Sequence, residues 1–326
     1  YGQPVVWMLR DHKAVIAYPG SMWEKTLGDT IVKMAQAGFN GAYLDSNNHA
    51  GTYMNFNPLY NKQSGGGNEY IKANQRMMRN IKAKARKYQP GFCFTAESFW
   101  EGNMAELDAI KAVNTWHHYL KRGVSEQIPL ASAVYHDHCI LFGCWVGRHS
   151  LQENNGIDYI VKHGMALIQG FKPGWNQPAH MNRFNNHELA FKSSMLRYRA
   201  YKAGKKFLLY GDMLRPPVIL SPEKRLPFKW WCGWSKHSYN TDVPVVMSSL
   251  WKAPDGSYGL ILYNVTTDAV QAKIKLSAKE LLNTKEAKAF SLWPRGQKVE
   301  ATSQSEFLVI TATVPPQSPM IIQINR

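Results

Sequence analysis

The sequence predicts an α/β protein: a barrel of parallel strands wrapped by helices, of the (β/α)8 TIM type but lacking its first strands, followed by a C-terminal antiparallel β-sandwich. Three observations lead there. Two short apolar stretches, GFNGAYLDSNN from Gly38 to Asn48 and GFCFTAESFW from Gly91 to Trp100, each follow a helical pattern and each end on a carboxylate, Asp45 and Glu97. Beyond Pro216-Pro217 the helical patterns give way to short β-rich runs punctuated by glycine, proline, aspartate and asparagine. Finally, a full barrel takes roughly 250 residues, whereas Tyr1 to Arg215 supplies about six β/α repeats, so the opening strands are expected in a missing N-terminal part of a longer chain. The expected division is residues 1–220 as barrel, 221–243 as linker and 244–326 as sandwich.

Taken in order, Pro4 to Leu9 reads as a strand, followed by a polar loop with Arg10, Asp11 and His12. Leu27, Ile31, Met34 and Ala35 recur every three or four residues, which predicts a helix over Met22–Ala37 stopped by Gly38. The Asp45 strand leads into a loop from Ser46 to Gly67, a length typical of binding walls and lids. Asn68–Tyr88 reads as helix until Gln89-Pro90-Gly91 breaks it. Past Glu97, Met104–Lys111 suggests one or two helical turns and Ala112–Tyr119 a short strand. Ile128–His138 is a better strand candidate, ending on Asp137. Ile157–Gly170 fits helix or strand, and its Met165–Ile168 run is a candidate for the last barrel strand. Asn185–Gly204 reads as helix. The β-rich runs are then Val245–Trp251, Tyr258–Val265, Val270–Leu276, Ala287–Leu292, Glu306–Val314 and Met320–Ile324, with a helical pattern only at Ser277–Leu282.

The 326-residue chain has no run of eighteen apolar residues that could cross a membrane, and no membrane partner is expected. It begins at Tyr1 without a charged and apolar leader, as a processed or excised terminus would; a secreted or periplasmic location is expected. The formal charge of +16 attracts anions, acidic polysaccharides or nucleic acid. The densest basic run, Lys72 to Lys87, has the spacing of a solvated helix face, so nucleic acid rests on net charge alone and is disfavoured as a partner. Cys93, Cys139, Cys144 and Cys232 are too few and dispersed for a zinc site or a disulfide framework, though Cys139 and Cys144 could bridge a loop. Asn264-Val265-Thr266 is a glycosylation sequon or a chance match.

Two acids delivered to the C-terminal rim of a parallel barrel can share one substrate. Glycosidic cleavage needs that arrangement, with one carboxyl giving a proton to the leaving oxygen and the other attacking or stabilising the sugar cation. The competing readings are a turn aspartate at Asp45 and a structural glutamate at Glu97. Apolar neighbours of Glu97 favour its protonated form and suit it to act as the acid. Asn47 and Asn48, two and three residues after Asp45, are candidates to hold the substrate. So are the rim aromatics Tyr53, Trp100, Trp116 and Trp175, since ring faces stack on sugar C–H surfaces. In an extended strand His136 and His138 would share a face around Asp137. A third metal ligand does not stand out, so His136 and Asp137 are assigned to substrate and no metal or cofactor is expected. The glycines at Gly65–Gly67 lack the Lys-Ser/Thr of a nucleotide loop, and a Gly-x-Ser-x-Gly elbow is missing. A non-catalytic carbohydrate-binding protein is the rival; it would leave Asp45 and Glu97 far apart or facing away from any cleft.

YLD ending at Asp45, FTAE ending at Glu97 and Tyr135-His136-Asp137, followed by a β-sandwich, resemble the α-amylase-like retaining glycoside hydrolases and the endo-α-N-acetylgalactosaminidases. The run from Met195 to Pro217, through LLYGDMLRPP, is also similar to uncharacterised bacterial glycosidase-like barrels. The resemblance covers roughly Phe39–Pro217. It implies Asp45 as nucleophile, Glu97 as acid/base and Asp137 as the residue stabilising the transition state. The amylase family carries an arginine two residues before its nucleophile; this chain has Tyr43 there.

Overall fold

The computed structural model describes residues 6–9, 12–15, 18–45, 47, 68–111, 129–144, 156–174, 187–232, 237–277, 288–304 and 306–325. Internal contacts divide the chain into two compact units, Tyr1–Lys111 and Ala112–Arg326.

In the first unit, β1 (Val6–Leu9) and β2 (His12–Val15) form an antiparallel pair. Helix α1 (Met22–Gln36) begins where the Ser21 hydroxyl accepts the Trp23 amide at 3.3 Å and Glu24 accepts the Gly20 amide at 2.8 Å. Together these occupy two amides that lack helical partners. It ends at Gly38, whose φ of 93° lets the Phe39 amide reach the Met34 carbonyl and its own amide the Ala35 carbonyl, both at 3.1 Å. Ile31 and Ala35 of α1 are buried, as are Met77, Met78, Ile81 and Ala85 of α2 (Asn68–Ala85), the helix it packs against. Strands β3 (Gly41–Leu44), β4 (Cys93–Glu97) and β5 (Ala109–Lys111) run parallel, β4 between the other two. A Cβ on Gly41 would lie 2.6 Å from Cys93 Sγ, so a glycine is needed for β3 to close on β4.

The helical turns expected over Met104–Lys111 are a 3-10 helix at Glu101–Glu106 followed by β5. Ion pairs tie α2 to this segment: Arg79 to Glu106 at 2.6 Å and Lys82 to Asp108 at 2.9 Å. Asp108 also accepts the Phe94 amide at 2.7 Å. Lys82, expected on a solvated face, is therefore buried and paired.

The second unit opens with α3 (Leu130–Tyr135), β6 (Ile140–Phe142) and α4 (Ile157–Ile168). The strand expected over Ile128–His138 is thus a helix and a turn, so His136 and His138 do not share a strand face. The Met165–Ile168 run is likewise helical. Almost every residue of α4 is buried, and a continuous apolar run does not distinguish a buried helix from a buried strand. The extended backbone lies just beyond, where Lys172 bridges Phe142 of β6 in parallel. Helices α5 (His187–Ala203) and α6 (Lys205–Leu208) follow.

The all-β part comprises β7 (Asp212–Leu214), β8 (Val218–Ser221), β9 (Arg225–Cys232), β10 (His237–Pro244), β11 (Val246–Lys252), β12 (Tyr258–Asn264), β13 (Val270–Ser277), β14 (Lys288–Trp293), β15 (Val299–Gln304), β16 (Phe307–Val314) and β17 (Pro319–Asn325). A five-stranded antiparallel sheet has the order β14-β17-β12-β11-β7 and a four-stranded one the order β15-β16-β13-β8. Residues 221–243, expected as a linker, hold most of the antiparallel pair β9–β10, and β7 and β8 already pair with β11 and β13. Leu250, Leu260, Leu262 and Ile322 of the larger sheet share one apolar core with Ile274, Leu276 and Ile310 of the smaller. Helices α4 and α5 pack on β11, β12 and β17. With a sheet on one face and helices on the other, every residue of β12 is buried, while β13 alternates buried and more exposed positions. Gly164 permits the close approach of α4: a Cβ there would lie 2.7 Å from the Tyr263 ring.

The sequon is structural. Asn264 is fully buried; its amide nitrogen donates to the carbonyls of Asp268, Val314 and Pro315 at 2.7, 3.2 and 3.1 Å, and its oxygen accepts from the Thr266 amide and hydroxyl. Cys139 and Cys144 are free, buried thiols; burial pushes Cys139 up to about 11. Among the described residues no helix is long and apolar enough to cross a membrane.

Candidate active site

Strand alternation builds the site. In β3 and β4, Ala42, Leu44, Phe94 and Ala96 are buried on one face, which leaves Tyr43, Asp45, Thr95 and Glu97 on the other. Leu44 pairs with Ala96 and Glu97 pairs with Lys111. Asp45, one residue past Leu44, therefore continues a row Asp45–Glu97–Lys111 across the C-terminal ends of three neighbouring parallel strands. The chain leaves β4 sharply: Ser98 has a φ of 69°, a conformation a serine adopts at a cost, and its amide donates to the Lys111 carbonyl at 3.1 Å.

The two acids touch. The Asp45 carboxyl hydrogen-bonds to Glu97 and accepts a hydrogen bond from the Tyr43 hydroxyl. Glu97 is 7% exposed, whereas Asp45 is exposed at the strand end. Lys111 Nζ stands 3.4 Å from Glu97 Oε1, with the lysine side chain 2% and the glutamate side chain 9% exposed, and lies 5.9 Å from the centre of the Tyr43 ring. Partial desolvation, then the hydrogen bond to and charge of Glu97, raise the Asp45 pKa; the Tyr43 hydrogen bond and Lys111 oppose this. Burial lowers Lys111, against the pull of Glu97 and Asp45. Burial and the same two acids keep the Tyr43 phenol protonated. Such a cluster sets two carboxyls side by side next to a buried lysine, with solvent access through Asp45.

The other expected site residues divide. Asn47 turns its amide onto Met78 Sδ of α2 at 3.3 Å, and its backbone carbonyl accepts from Asn103 at 3.4 Å. Trp100 lies over Gly102, where a Cβ would come within 2.9 Å of its ring. Asp137 belongs to the second unit, exposed in the turn after α3 with His138 at 3.5 Å. His136, half-buried, packs edge-on against Trp251 with ring centres 4.7 Å apart; burial lowers its pKa, opposed by the Leu208 backbone and by Asp137 and Asp212. Asn48, Tyr53, Trp116 and Trp175 lie outside the described residues. Among the described residues no group of three or more His, Cys, Asp and Glu side chains could hold a metal ion. Lys111 was missed by sequence reasoning; its only signal is the short run Ala109-Ile110-Lys111 soon after FTAE.

The family described as a domain of unknown function, DUF6259, matches residues 9–146. No curated protein matches the sequence. Among solved structures, the chain is similar to an α-amylase from Geobacillus thermoleovorans complexed with acarbose, at 11% identity and a TM-score of 0.51, over 96% of this chain and 66% of that one. A debranching enzyme from Nostoc punctiforme is matched at 9% identity and a TM-score of 0.48, over 95% and 63%. A GH27 β-L-arabinopyranosidase from Geobacillus stearothermophilus is matched at 7% and 0.45, over 93% and 61%. The chain thus spans less than two thirds of the length of each. At such identities the likeness to the α-amylase is one of fold alone, and the fold is glycosidase-like.

Proposed function

We propose that this chain carries the acid pair of a retaining glycoside hydrolase that cleaves an oligo- or polysaccharide through a covalent glycosyl-enzyme intermediate. The observation that carries the reading is the contact between Asp45 and Glu97 at the ends of adjacent parallel strands. Retaining enzymes place their carboxyls about 5 to 5.5 Å apart and inverting ones roughly 6.5 to 9.5 Å, the larger gap holding a water. Carboxyls that hydrogen-bond leave no such gap, which supports retention, with the sugar parting them on entry. The same contact speaks against a non-catalytic binding protein, for which the acids need not meet. The α-amylase likeness supports a (β/α) barrel, and the shared core of the two sheets supports a β-sandwich, beginning near Asp212. The +16 charge favours an acidic glycan, and a polysaccharide substrate fits a secreted or periplasmic protein.

The test is hydrolysis of a panel of 4-nitrophenyl glycosides and neutral and acidic polysaccharides, with the first-formed anomer read by proton NMR. A retained anomer is expected. An inverted one overturns the mechanism, and no hydrolysis across the panel overturns the enzyme reading.

A further inference from the structure

We propose that Lys111 decides which of the two acids carries the proton: with its ammonium against Glu97, Glu97 rests as the carboxylate and serves as nucleophile, while Asp45 rests protonated and serves as the acid. This rests on the glycosidase reading and reverses the roles implied by resemblance.

The row itself is the reason. Glu97 stands in the middle, with Lys111 Nζ at 3.4 Å on one side and the Asp45 carboxyl on the other. Two carboxyls in hydrogen-bond contact cannot both be ionised without strong repulsion, so one of them holds a proton. An ammonium 2% exposed needs a counter-charge, and a protonated Glu97 would leave it with a neutral neighbour. The proton therefore goes to Asp45, which points it at Glu97. Tyr43 and Lys111 act on this pair, and its two members act on each other. Tyr43 on β3 donates to Asp45 and favours its anion, through one neutral hydrogen bond; Lys111 on β5 favours the anion of Glu97 by full charge at contact; and each carboxyl opposes ionisation of the other. The charged contact outweighs the neutral one. Exposure agrees, since the acid must reach the leaving oxygen and Asp45 is the exposed member.

In the first step a Glu97 oxygen bonds to the anomeric carbon as the bond from that carbon to the leaving oxygen breaks, and the Asp45 proton passes to the leaving oxygen. In the second, Asp45, now a carboxylate, takes a proton from water while the water oxygen bonds to the anomeric carbon and the bond to Glu97 breaks. Both side chains return to their starting forms. Lys111 acts through the Glu97 carboxylate it pairs with and is a positioning residue.

The experiment is a carbon-13 NMR titration of the whole chain labelled at Asp Cγ and Glu Cδ, with Asp45→Asn and Glu97→Gln giving the assignments. Asp45 is expected to titrate at higher pH than Glu97 in the wild type. Lys111→Met should raise the Glu97 midpoint by more than one pH unit, and Lys111→Arg should keep the wild-type order; a purely structural role would not move the order. Glu97 titrating above Asp45 in the wild type overturns the proposal, as does a Glu97 midpoint unmoved in a folded Lys111→Met variant. If Lys111→Met does not fold, the wild type and Lys111→Arg decide alone. Absence of glycoside hydrolysis sinks the enzyme reading, whereas a reversed titration order sinks only this assignment.

Discussion

Among the described residues, two lysine–acid pairs with both side chains almost fully buried share the same chemistry in different settings. Lys162 and Asp158 stand one turn apart in α4 at 2.8 Å, with side-chain exposures of 0% and 1%. Acid before lysine at this spacing is the favourable order on a helix, and both members of the pair sit on one element. Lys111 and Glu97 bridge two strands at 3.4 Å, almost as deeply buried, but Glu97 also touches a third ionisable group that reaches solvent. Burial of an ion pair is thus no sign of chemistry. A charge that must be shared among three groups, one of them open to a ligand, is.

The contrast breaks first at the acids. Asp45→Asn and Glu97→Gln should each lower kcat on a cleaved glycoside by about 10⁴-fold while sugar binding persists, and the double variant Asp158→Leu with Lys162→Met should leave kcat of the folded protein within a few-fold. Unchanged turnover in either acid variant would reject the site. The second break concerns stability: Lys162→Met alone strands a buried carboxylate and should cost about 3–5 kcal/mol in urea unfolding, and the double variant should recover most of it. Asn264→Ala, which takes the donor from three backbone carbonyls, should cost about 3 kcal/mol, and mass spectrometry of protein made in a glycosylating host should find Asn264 bare.

The smallest effect is a pH dependence. Because folding raises the Asp45 pKa above 3.8, the native state binds the extra proton, so this group's contribution to stability falls as pH rises from that value through the raised one. Asn at 45 mimics the protonated acid and removes that slope. Its Tm relative to the wild type should therefore be higher at pH 7 than at pH 3; thermal melts that show no such trend would mean Asp45 is not perturbed.

Much of this architecture could be read before any coordinates. The helix end at Gly38, the two strands ending on Asp45 and Glu97, and the strands from β11 onward other than β15, which was not expected, fall within a residue or two of expectation, because each is set by local periodicity and a turn residue. The failures share a cause too. β5 is three residues long, too short for a pattern, so Lys111 went unseen. The polar residues of α4, Asp158, Lys162 and His163, are buried with the rest, so the helix has no solvated face. Pairing of acids across strands depends on register, which no single segment encodes.

Ser98 carries a practical warning. A protein engineer seeking heat resistance would mark its left-handed backbone as a defect and place glycine there, relaxing about 1–2 kcal/mol of strain. That tight exit also fixes the aim of the neighbouring glutamate, so the gain in robustness would come with a less firmly held Glu97, and directed libraries should leave this position alone.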